Sequence, residues 1–167
     1  PSSSTLASSD RDFGNANLEF LPLAFPSKVT SGSDRAVATA DGTIDWNFGP
    51  SWGFGATVGN TAYDFQAIAM HELLHTFGFL SNIDKAGSNT GQMWTLFDSY
   101  VVNAAGTRVI NNGPFTWNTA YNSNLTGGNG GLYFGGPDAV SVYQGLVPLY
   151  TPNPWESGSS LSHLRAN

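Results

Sequence analysis

A chain of 167 residues is long enough for one domain with its own core, and its hydrophobic (40%) and aromatic (13%) content is that of a globular protein. Charged residues make up only 11% and the net charge is −6, a balance that disfavours nucleic acid and anionic membrane surfaces and suits a polar, loop-rich exterior. Cysteine is absent, which excludes disulfides, a thiolate nucleophile and thiolate metal ligands, and no apolar run reaches the length of a membrane span.

In chain order, PSSSTLASSD reads as a flexible arm (residues 1–12) left after processing, so the chain is expected to be a mature secreted protein whose signal peptide lies outside this sequence. NLEFLPLAFPSKV holds two apolar runs punctuated by Pro22 and Pro26, which fits interrupted or edge strands better than a helix. ATADGTIDWNFGPSWGFG alternates Ile44, Trp46 and Phe48 between Asp-Gly and Gly-Pro turn signals. A helix follows over TAYDFQAIAMHELLHTF, with Thr61 and Asp64 spaced as a capping box and Gly78 as its stop.

Beyond it, LSNIDKAGSNTGQ reads as a loop and TLFDSYVVNAAGTRVI as two strands around a turn at Ala105 and Gly106, with helix an alternative for the first half. From Asn111 onward Gly, Asn, Pro and Ser dominate around the apolar segments GLYF and LVPLY, with one short helix at PDAVSVY. With no repeat and no linker, residues 1–167 are expected to form a single catalytic domain, with an upper lobe at 13–80 and a loop-rich lower lobe at 81–167.

MHELLHTFGFL carries the chemistry. On a helix, His71 and His75 stand about 40° apart around the axis and about 6 Å along it, so both imidazoles can converge on one point. The HExxH spacing supplies two neutral ligands, and Glu72 between them points to where a water on the metal would sit. Zinc lowers the pKa of such a water toward about 7, and the carboxylate can take its proton as it attacks a polarised carbonyl. The bland alternative is an amphipathic helix with two partly buried histidines. It weakens because the chain has only three histidines, and two fall in this motif.

A catalytic zinc usually needs a third protein ligand. HELLHTFGFLS resembles the metzincin metallopeptidases, whose HExxHxxGxx motif turns at a glycine, here Gly78. Their pattern expects His or Asp where Ser81 stands, and a hydroxyl is a poor zinc ligand. The remaining histidine, His163, lies in GSSLSHL, and this distant placement resembles the leishmanolysin-like branch, in which a long insertion separates the glycine turn from the third histidine. The resemblance implies an α+β zincin or metzincin-like fold: a twisted sheet packed on the active-site helix, and a C-terminal lobe delivering His163. Leishmanolysin is rich in disulfides and this chain has none. The family's methionine turn should follow the third histidine, whereas Met70 and Met93 both precede it. The expectation is therefore that the natural protein continues past Asn167 to a Met, or that Phe97, Leu146 or Leu149 forms the base beneath the ligands.

Other ligand candidates are Glu156, on a loop between Pro154 and Gly158; Asp84, more simply a solvated turn; and Asp98, able to orient a ligand histidine. Tyr143 and Tyr150 are candidates for contacting the tetrahedral intermediate, as the resemblance implies. Asn124 heads an Asn-Leu-Thr glycosylation acceptor. The expected function is a secreted zinc endopeptidase with one catalytic Zn2+, Glu72 as general base, His71, His75 and His163 as ligands, and a protein or peptide substrate bound extended as an added strand. Calcium is a cofactor for which no EF-hand-like acidic run speaks. The alternative is a non-catalytic zinc-binding, carbohydrate-binding or adhesion module, to which Trp46, Trp52, Trp94, Trp117 and Trp155 would be suited.

Overall fold

The computed structural model describes residues 7–11, 20–21, 32, 40, 42–90 and 93–166. The chain divides into two compact units, Pro1–Gly14 with Leu23–Phe79, and Asn15–Pro22 with Leu80–Asn167. Helix and strand are mixed, so the class is α+β. The strands among the described residues form five small sheets of two or three strands rather than one twisted sheet. Most are only two residues long. The Gly, Pro and Asn punctuation that marks turns in the sequence leaves no room for longer ladders.

In the first unit, β1 (Ala7–Arg11) runs antiparallel to β3 (Gly42–Trp46), from Ala7 opposite Trp46 to Arg11 opposite Gly42. This corrects the reading of residues 7–11 as a flexible arm: ASSDR lacks an apolar pattern of its own, and its backbone is organised by pairing with GTIDW. Most of NLEFLPLAFPSKV lies outside the described residues. Its Phe20–Leu21 is β2, which belongs to the second unit.

β4 (Trp52–Gly53) and β5 (Tyr63–Asp64) pair in parallel. That pairing moves the expected helix start. Tyr63 donates its N–H to the Ser51 carbonyl at 2.9 Å, keeping the chain extended up to Asp64. Asp64 is therefore the N-cap itself and not the third residue of a box begun by Thr61; its carboxylate accepts from the Ala67 N–H at 3.1 Å. α1 spans Phe65–Thr76 and packs against β1, β3 and β5. Its first residue, Phe65, is the hub of an aromatic cluster, with ring centroids 4.6 Å from Trp46, 5.0 Å from Phe54 and 5.7 Å from Trp52.

In the second unit, β2 pairs in parallel with β6 (Trp94–Thr95), and a 3-10 turn, Phe97–Tyr100, follows where a strand was the first expectation. Thr95 and Asp98 account for it: the Asp98 N–H donates to Thr95 Oγ1 at 3.0 Å and the Thr95 N–H to Asp98 Oδ2 at 2.8 Å, the reciprocal bonds of a capping box. The turn at Ala105 and Gly106 is present, closed by an Asn103 side chain that accepts from the Ala105 and Thr107 amides. β7 (Val101–Val102), β10 (Tyr133–Phe134) and β11 (Val147–Pro148) form a three-stranded antiparallel sheet in the order β11-β10-β7. β8 (Ile110–Asn111) and β9 (Thr116–Trp117) form a hairpin, and PDAVSVY is the helix α2 (Pro137–Tyr143).

The apolar core of the described residues lies in this second unit. Trp94, Val101, Val109, Leu125, Leu132, Leu149 and Leu161 are at most 1% exposed, and Phe97 stacks on Phe134 at 4.7 Å. Asn124 is buried with them and donates to the Gly131 carbonyl at 2.9 Å. The C-terminal segment adds an edge beside β11: Leu149 bridges Leu164 antiparallel, Tyr150 donates to the His163 carbonyl, Leu161 to the Tyr150 carbonyl and Arg165 to the Pro148 carbonyl.

Candidate metal centre

α1 places His71 and His75 on one face, one turn apart, with their Nε2 atoms 3.2 Å from each other and their rings edge to face at 86°. The end of the helix fixes the second ring. Gly78 has φ 108°, a conformation in which a Cβ is strained. It allows a Schellman closure, with the Gly78 N–H on the His75 carbonyl at 3.0 Å and the Phe79 N–H on the Leu74 carbonyl at 3.1 Å. The turned chain brings the Phe79 carbonyl to His75 Nδ1 at 2.7 Å. With Nδ1–H donating there, Nε2 is the nitrogen that carries the lone pair.

Glu72 is 7% exposed and, with Ala7, Ala67, Ile68 and His71, lines a depression of about 460 Å³. A glutamate so poorly solvated in the middle of a helix is unusual, and it sits between the two histidines as the motif requires.

His163 has the same ring arrangement: its Nδ1 lies 2.8 Å from the Ser159 carbonyl. GSSLSHL is a compact device for that contact. Glu156 accepts from the amides of Ser159 and Ser160 and donates its own N–H to Ser160 Oγ, which winds residues 156–160 into a turn. Leu161 then takes φ 64°, rare for a leucine, while its side chain is completely buried.

His71 and His75 belong to the first unit and His163 to the second. The other ligand candidates have partners of their own. Glu156 accepts from the Tyr150 hydroxyl; partial desolvation, then that bond and the carboxylate's charge, push the Tyr150 phenol above its ordinary pKa. Asp84 caps a turn, accepting from the Lys85 N–H and tied to Asn89. Asp98 is buried and bonded to Ser81, Asn82 and Thr95, so it does not orient a ligand histidine by touching it. Burial raises its pKa to about 6 against the lowering effect of those hydrogen bonds. Ser81 is committed to Asp98 through its hydroxyl at 2.6 Å.

Of the two tyrosines, Tyr150 lines a depression of about 240 Å³ with Ser159, His163 and Leu164, and Tyr143 does not. Among the residues considered for a base, Phe97 and Leu149 are buried in the core of the second unit and Leu146 is half-buried. Sequence reading missed the carbonyls of Phe79 and Ser159 that hold the rings. The only signal for them is position, four residues after one histidine and four before the other.

Neither the family models nor the curated proteins nor the solved structures compared with the chain give a match. The donor set must therefore be tested on its own geometry. Two nitrogens each about 2.0–2.1 Å from one tetrahedral zinc stand roughly 3.3 Å apart. The His71 and His75 Nε2 atoms at 3.2 Å meet that requirement, and the Phe79 carbonyl on His75 Nδ1 is the kind of outer partner that metal-binding imidazoles have. This pair has the spacing that a tetrahedral metal ion needs.

Proposed function

We propose that the protein is a secreted zinc endopeptidase. The observation that carries this reading is the 3.2 Å approach of the two Nε2 atoms on a helix that also buries Glu72 between them. His71, His75 and His163 would hold the ion, which when bound supplies a Lewis acid for the scissile carbonyl and lowers the pKa of water. Glu72 accepts the proton of the attacking water as the carbon–oxygen bond forms. It then delivers that proton to the leaving nitrogen as the carbon–nitrogen bond breaks.

The depression lined by Ala7 and Ile68 lies directly beside Glu72, and an extended peptide would occupy it with its backbone toward β1. No described helix is long and apolar enough to cross a membrane. The proposal is tested by metal analysis of the purified chain beside peptide hydrolysis with and without chelator. Stoichiometric zinc and chelator-sensitive cleavage are expected. Cleavage that persists in full after the metal is stripped would sink it.

A second reading, a non-catalytic binding module, draws on the aromatic cluster around Phe65. Phe48 and Phe54 in that cluster are 62% and 61% exposed, a large apolar area for a surface. Saccharide binding by a chain lacking hydrolytic activity, lost on Phe54→Ala, would favour it.

A further inference from the structure

Ser81 occupies the place where the resembled pattern has a metal ligand, and its contacts give it a different task. Its hydroxyl donates to Asp98 Oδ1 at 2.6 Å and accepts from the Ile83 N–H at 3.1 Å. Its own N–H donates to Ser162 Oγ at 3.2 Å, across 81 positions of sequence. Ser162 is the residue before His163. The chain just after the glycine turn is thus bonded to the residue adjoining the distant histidine, entirely within the second unit.

Asp98 anchors the other end of this connection. Both of its oxygens are occupied: Oδ1 by the Ser81 hydroxyl, and Oδ2 by the Asn82 N–H at 3.0 Å and the Thr95 N–H at 2.8 Å. Thr95 Oγ1 in turn donates to the Leu80 carbonyl at 2.8 Å. Residues 80–82 are therefore gripped from both backbone directions by one buried Thr-Asp pair. Ser81, Thr95, Asp98 and Ser162 are all at most 8% exposed, so these bonds face little competition from water.

We propose that Asp98, Ser81 and Ser162 form a positioning relay that sets the backbone of His163 and so its readiness to bind zinc. This rests on the reading of His163 as a ligand. Two clamps act on that histidine: the Ser159 carbonyl orients the ring, and the Ser162 hydroxyl fixes the segment carrying it. Leu161, held at φ 64° between the clamps, gains its unusual backbone from the hydrogen bonds on both sides and from its buried side chain. Without the Ser81 bond, one of those restraints disappears and residues 161–165 have less reason to stay in register with Pro148–Tyr150.

The test uses the full chain with Ser162→Ala, which removes only the accepting hydroxyl, and Ser162→Thr, which restores it. Zinc affinity by chelator competition should fall about 10- to 100-fold in the alanine variant, the range for outer partners of metal ligands, and recover in the threonine variant. Hydrogen exchange on metal-free protein should rise at the amides of Leu161 and Arg165 in Ser162→Ala while the chemical denaturation midpoint stays near wild type. Asp98→Asn, which turns a donor toward the Asn82 or Thr95 N–H, should lower zinc affinity in the same direction; if it does not fold, Ser162→Ala decides. Unchanged zinc affinity and unchanged exchange in folded Ser162→Ala would overturn the relay. Wild-type protein that binds no zinc would instead overturn the proposed function, and the exchange measurement on metal-free chain would still judge the relay.

Discussion

The two units hold their histidines by opposite means. Among the described residues, every buried apolar side chain belongs to Leu80 and beyond, whereas the buried residues of the first unit are Glu72 and His75. Along α1 and at its C-cap, Met70, Leu73, Leu74 and Phe77 are 47–65% exposed, and the two ends of the helix bearing the paired histidines are fixed by local devices, the Asp64 cap and the Gly78 closure. His163 sits instead on a segment tied through long-range bonds to a packed core.

The largest effects should separate chemistry from packing. Glu72→Gln should lower peptide hydrolysis at least ~10²-fold with zinc content near wild type, since it removes the base and no ligand; undiminished turnover would refute that role. Leu125→Ala or Leu149→Ala in the dry core should cost about 2–5 kcal/mol of unfolding free energy, while Leu73→Ala on α1 should stay within about 1 kcal/mol. Equal costs in denaturant titrations would erase the contrast between the units.

A pH titration sharpens it further. The folded pKa of Asp98 is raised from 3.8 to about 6, chiefly by burial, and the groups on its carboxylate, Ser81, Asn82 and Thr95, are neutral. A raised folded pKa means the folded state holds its proton more tightly, so the contribution is fully present below pH 3.8 and is lost as pH rises through about 6. Stability of the second unit should therefore fall by roughly 1–3 kcal/mol over that window, and a folded Asp98→Asn variant should lack the slope. A wild-type curve that rises instead would show that hydrogen bonding outweighs burial. A smaller effect than in the dry core is expected at Gly78→Ala, about 1–2 kcal/mol from the strained φ, with zinc affinity falling because the Phe79 carbonyl leaves His75.

The same contrast explains what was legible in the sequence. The helix, its glycine stop and the HExxH face follow from spacing over a few residues, so they could be read directly. Thr61 misled because its capping box satisfies a local rule, while the Tyr63 to Ser51 bond that keeps this stretch extended is tertiary. The strand at Ala7–Arg11 was invisible for the same reason: its partner lies more than thirty positions away. His163 was reached by counting histidines and by resemblance, yet the bonds that hold its segment, Ser81 to Ser162 and Asp98 to Ser81, connect serines and an aspartate that no short pattern links.

The burial of Asn124 has a practical side for producing this chain. Its Asn-Leu-Thr meets the requirement of an oligosaccharide-transfer enzyme, but its amide nitrogen is engaged by the Gly131 carbonyl and Leu125 beside it is wholly enclosed. A finished molecule cannot present that nitrogen to the enzyme, and a sugar attached to the nascent chain would have to be expelled from a space that holds none. Material from a eukaryotic secretory host should therefore be a mixture: an unmodified fraction that is compact, and a modified fraction that is loosened and proteolysed around residues 118–131. An Asn124-linked glycan on fully compact protein would contradict this, and a bacterial host avoids the competition altogether.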